Sequence, residues 1–102
     1  MRIILITYEH NNSLHDYSNF FDDIMDYSHT KVTERCYLIK TRTSPNKIYK
    51  ELRKSIDNKG DTLIVMGISK IWVGRGPEHL VDWISRNIHS RHIGVISRFF
   101  RN

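Results

Sequence analysis

The chain opens with an unbroken apolar run, Ile3-Ile4-Leu5-Ile6. Three of the four residues are β-branched, which suits a pleated strand better than a helix. An apolar run without alternation belongs to a strand covered on both faces, so an interior strand is expected over 2–9. Tyr17, Phe20, Phe21, Ile24 and Ser28 then recur at helical spacing, with Asp22, Asp23 and Asp26 mostly on the other side. That predicts a helix near 18–28, with Ser18 as its N-cap. Residues 31–42 alternate, but neither face is cleanly apolar, so the register should shift at Glu34-Arg35 by a bulge or tight turn. Either two short strands or one long bent strand satisfies this pattern.

Ser44-Pro45 announces a helix near 45–57, because serine caps well and proline suits a first helical position. Ile48, Tyr49, Leu52 and Ile56 form its expected buried stripe, and Gly60 stands where a left-handed cap would end it. Leu63-Ile64-Val65-Met66 predicts a second interior strand within 61–68. Pro77 opens a third helix near 77–88, with Leu80, Val81, Ile84 and Ile88 on its buried face. The tail from His89 carries Ile93, Val95, Ile96, Phe99 and Phe100 among arginines, too apolar to be left in solvent. The order is strand, helix, strand, strand, helix, strand, then a C-terminal helix and tail. It predicts an α+β ferredoxin-like sandwich. We read one domain over 1–102, with 1–73 as core and 77–102 as a helix and basic, apolar tail.

Charge sharpens this picture. The 102 residues carry a net +5, unevenly spread. Residues 1–30 hold one base against five acids, and 31–102 hold fifteen bases against six acids, net +9. Such a surface favours polyanions, although a basic face also serves solubility alone. The single cysteine, Cys36, has no disulfide partner in the chain and reads as a buried thiol. With no signal peptide and no apolar run of membrane-spanning length, the expectation is a cytoplasmic protein that makes no use of a membrane.

Candidate chemistry is sparse. Gly74-Arg75-Gly76 lacks the frame of a phosphate loop, and the six histidines have no zinc spacing. Where the first strand ends, Tyr8-Glu9-His10-Asn11-Asn12 turns abruptly polar, and Glu9 is the one carboxylate in a site-like position. The plain reading is ordinary turn chemistry. A single carboxylate holds magnesium poorly, but a symmetric dimer would supply two.

The motifs Tyr8-Glu9-His10-Asn11, His15-Asp16-Tyr17-Ser18 and Thr33-Glu34-Arg35-Cys36-Tyr37-Leu38-Ile39-Lys40-Thr41 occur in order, followed by Asp61-Thr62-Leu63-Ile64-Val65 and Trp72-Val73-Gly74. This succession resembles the small SinR-like family, which is similar to CRISPR-associated protein 2. The likeness spans about residues 1–73. It implies a ferredoxin-like homodimer that either scaffolds nucleic acid or a nucleic-acid-processing complex, or cleaves phosphodiesters with magnesium. By position the superfamily's metal-associated aspartate falls on Glu9, and Arg35 replaces a usual serine; both are departures from the family pattern. Two functions follow. In the first, a dimeric scaffold contacts nucleic acid through Lys31, Arg35, Lys40, Arg42, Arg91, Arg98 and Arg101. In the second, a magnesium-dependent nuclease uses Glu9 from each subunit as catalytic and metal-binding residue. A protein–protein interaction module or inhibitor that touches no nucleic acid is the third alternative.

Overall fold

A computed structural model describes residues 1–68 and 72–88. It divides into two compact units, Met1–Ile68 and Ser69–Asn102. The first unit holds β1 (Arg2–Glu9), α1 (Ser18–Met25), β2 (Ser28–Thr33), β3 (Cys36–Thr41), α2 (Pro45–Leu52) with a 3₁₀ turn at Arg53–Ser55, and β4 (Thr62–Ile68). The second holds α3 (Glu78–Asn87), where Leu80, Val81 and Trp83 are buried. The tail expected to pack, residues 89–102, lies outside the described residues.

The four strands form one antiparallel sheet in the order β2-β3-β1-β4. The two-residue alternation of β1 sends Ile4, Ile6 and Tyr8 to one face, where α1 and α2 close the core. There they meet Phe20 and Ile24, Ile48 and Leu52, with Tyr37 and Ile39 from β3 and Ile56 beyond α2. Strand β1 is central, as its apolar run predicts: Ile4 and Ile6 have no exposure. Strand β4 differs from the expectation. Among the described residues it is the outer strand, and Ile64 and Met66 are 46% and 47% exposed on the face away from α1 and α2. An apolar run marks β structure, but it does not report whether a neighbour lies beyond the strand.

The ambiguous stretch 31–42 resolves as the tight turn Glu34-Arg35 between two strands, with a register shift between Lys31 and Thr33. Strand β2 begins at Ser28, so α1 is shorter than its stripe suggests. Ser18 does not cap it; Tyr17 holds the cap position, and the Ser18 N–H donates to Asp16 Oδ1 at 2.9 Å. Ser44 does cap α2, its Oγ accepting from the Lys47 N–H at 3.3 Å. Pro77 occupies the cap position of α3, one residue before the helix begins. Gly60 is not a left-handed cap, since no described glycine has positive φ. Instead the last turn tightens to 3₁₀, and Asn58 Nδ2 donates to the Arg53 carbonyl at 3.2 Å. Tyr49, expected in the buried stripe, is an exposed large aromatic, and Cys36 is half-buried rather than buried. Among the described residues no helix is long and apolar enough to cross a membrane.

Candidate functional site at the end of β1

Two clusters form where β1 ends. The first gathers around the Glu34-Arg35 turn. The Arg35 carbonyl accepts from the Tyr8 N–H at 3.1 Å and from Thr7 Oγ1 at 3.2 Å, and Tyr8 Oη donates to the Glu34 carbonyl at 3.3 Å. These bonds fix the turn against β1 and place the Arg35 side chain beside Glu9, with Nε 3.5 Å from Oε2. Both side chains are more than half exposed, so the pair adds little to stability. Its effect is electrostatic, because the Glu9 charge is offset by a cation from its own chain. Burial, with Tyr37 and Glu34 nearby, pushes the Tyr8 hydroxyl up to about 12.

The second cluster joins the β1–α1 loop to the connection between α2 and β4. Asn11 donates its backbone N–H to Asp61 Oδ1 at 2.7 Å and its Nδ2 to the Gly60 carbonyl at 2.8 Å. Tyr17 Oη donates to Asp61 Oδ2 at 2.7 Å, and the Asp57 N–H donates to the same oxygen at 2.8 Å. Asn12 Nδ2 reaches Asp57 Oδ2 at 3.0 Å, and His15 Nε2 lies 3.1 Å from the Ser55 carbonyl. Burial works to raise the Asp61 carboxyl, but donors from Asn11, Tyr17 and Asp57 outweigh it and hold the group below the usual carboxylate range. The Lys59 N–H and the Asn12 amide likewise hold Asp57 low. Burial and the Asp61 acceptor raise the Tyr17 hydroxyl.

His10 lies under this network. Its ring stacks on Tyr17 with centroids 3.7 Å apart and planes 3° apart, and Phe20 meets it edge-on. Burial lowers its imidazole pKa, with Asp61 pulling the other way, and its Nε2 is buried without a hydrogen-bond partner. The ring therefore acts as a neutral spacer between core and loop. Asn11, Asn12, Tyr17, Asp57 and Asp61 thus form a loop clamp. Sequence reasoning singled out Glu9 and missed Asp57 and Asp61. The signal was the spacing Asp57-Asn58-Lys59-Gly60-Asp61, which has the side chains of a hydrogen-bonded turn.

The two clusters lie on different faces. Alternation puts Glu9 in line with Ile3, Leu5 and Thr7, away from α1 and α2. Asp61, by contrast, is bound to Tyr17 at the start of α1. Within one chain Glu9 therefore offers a single carboxylate beside a guanidinium, and this donor set does not fit a magnesium ion. Among the described residues no group of three His, Cys, Asp or Glu is placed to hold a metal.

The expected basic contacts are not gathered at one place. Lys31 Nζ lies 3.4 Å from Glu34, and Arg35 faces Glu9. Lys40 is half-buried opposite Ile3. Arg42 follows β3 at the other end of the sheet, where its carbonyl accepts from Arg2 Nη1 at 2.8 Å. At about 3.3 Å per residue, Arg35 and Arg42 are separated by roughly 23 Å. Arg91, Arg98 and Arg101 lie outside the described residues. No protein-family model, curated protein or solved structure matches the chain.

Proposed function

We propose that the chain is a cytoplasmic, homodimeric nucleic-acid-binding scaffold of the CRISPR-associated protein 2-like kind, built on a ferredoxin-like domain. The observation that carries the choice of scaffold over nuclease is the ion pair between Glu9 and Arg35. A carboxylate meant to hold a dication is weakened by a guanidinium at that distance. The ferredoxin-like plan is supported by the antiparallel order β2-β3-β1-β4 and by two helices packed on one face. Dimerisation is supported by the exposed Ile64 and Met66 on the opposite face, an apolar pair that a second copy would cover.

The test combines mass in solution with labelled single- and double-stranded DNA and RNA, in magnesium and in chelator. The scaffold reading expects a dimer that retards oligonucleotides and leaves them intact in both buffers. Ile64→Glu/Met66→Glu, which charges the exposed apolar pair, should lose the dimer. Cleavage in magnesium that disappears in Glu9→Gln would replace the scaffold with the nuclease. Failure to bind any oligonucleotide at low salt would leave an interaction module acting on another protein.

A further inference from the structure

We propose that the outward face of α2 and of the 3₁₀ turn that ends it is the contact surface for a single nucleic-acid strand, with Lys47, Lys50 and Arg53 on phosphates and Tyr49 under a base. The proposal rests on the nucleic-acid reading above and assigns its binding surface, which differs from the basic residues picked out by sequence. Helix α2 buries only Ile48 and Leu52; Lys47, Tyr49, Lys50, Arg53 and Lys54 are all exposed. At about 100° per residue, Lys47 and Lys50 fall on one stripe of α2, with Tyr49 further around the helix, and Arg53 follows in the 3₁₀ turn. The cations run roughly 10 Å along the axis from Lys47 to Arg53, at about 1.5 Å per residue in α2 and about 2 Å at the 3₁₀ turn.

This surface keeps its charge, in contrast to the hairpin. Lys31 and Arg35 face Glu34 and Glu9. Of Lys47, Lys50, Arg53 and Lys54, only Lys54 is ion-paired among the described residues, to Glu51 at 3.5 Å. Tyr49 is 37% exposed and lies four residues before Arg53, so an exposed ring and a cation lie within about one helical turn of each other. Cations along a track with an exposed ring beside them are the combination that holds single strands. The groove between α1 and α2 sets one limit of the track. Asp23, Asp26 and Glu51 line this cavity of about 200 Å³, and their negative field repels phosphate from that flank.

Fluorescence anisotropy with labelled oligothymidylate, a duplex of equal length and phosphatidylserine vesicles as competitor tests the assignment. The variants are Lys47→Gln/Lys50→Gln/Arg53→Gln, Tyr49→Ala and Tyr49→Phe, each first shown to melt like wild type. The triple variant should lose about tenfold or more in affinity at low salt. Its log–log salt slope should become shallower by about 2, at roughly 0.7 per lost phosphate contact. Tyr49→Ala should weaken oligothymidylate about tenfold at unchanged slope, and Tyr49→Phe should restore it. Wild-type binding retained by the triple variant would overturn this surface while leaving nucleic-acid binding in place. No oligonucleotide binding by wild type would overturn both readings. Equal affinity for duplex and single strand with Tyr49→Ala neutral, or competition by vesicles at equal charge, would overturn the single-strand assignment.

Discussion

Replacing Asp61 by alanine removes the acceptor at the centre of the loop clamp. Three donors lose their partner: the Asn11 N–H, the Tyr17 hydroxyl and the Asp57 N–H, at 2.7, 2.7 and 2.8 Å. A hydrogen bond to a charged group contributes about 1.5–3 kcal/mol when shielded, and less where water can replace it. Asp61 is only half-buried, so about 1 kcal/mol for each bond is reasonable, giving a total loss of about 2–3 kcal/mol. Urea denaturation at neutral pH reads this as a lower midpoint at unchanged slope. The pH dependence has a definite sign. The folded-state pKa of Asp61 is below its ordinary value of 3.8, so its contribution is complete above that value. It is lost as pH falls through the lower, folded-state pKa. The gap between wild type and Asp61→Ala should therefore be constant near neutrality and narrow below about pH 4. A gap under about 0.5 kcal/mol at neutral pH would show that the clamp carries no stability. A gap that does not narrow in acid would refute the role given to the charge.

Other consequences follow from the same structure. Tyr8 has a folded-state pKa of about 12, above its ordinary 10.0. Stability should thus fall as pH rises through that window, and Tyr8→Phe should flatten the alkaline limb of a denaturation series. Ile39→Ala removes a side chain with no exposure and should cost about 2–5 kcal/mol by urea midpoint; a loss below about 1 kcal/mol would mean the core is not packed as described. Ser44→Ala should cost about 1 kcal/mol through the α2 cap, with Ser44→Asp nearly neutral. Glu9→Gln should change stability by less than about 0.5 kcal/mol, because its ion pair is exposed.

The elements were legible because their causes are local. An uninterrupted β-branched run announces β1, Ser44-Pro45 announces α2, and the broken alternation around Glu34-Arg35 announces a turn. Strand order is not local. Whether Leu63–Met66 lies inside or outside the sheet depends on which strand pairs beyond it, and the run reads the same either way. Helix ends were misplaced for a related reason: Ser28 continues the stripe of α1, yet its pairing with Lys40 claims that residue for β2. Glu9 stood out because a carboxylate after an apolar run is visible in one dimension. The Arg35 that offsets it lies twenty-six residues on, and Asp61, fifty residues from Asn11, becomes its partner only once two loops meet.

The proposed function is nucleic-acid binding without cleavage. The most direct measurement is one titration of wild-type protein against labelled oligothymidylate in magnesium, at low and high salt, with strand length checked afterwards on a denaturing gel. We expect binding that weakens steeply with salt, because phosphate contacts release counterions, and full-length strand at every point. Shortened strand in a verified clean preparation, or affinity indifferent to salt, would contradict it.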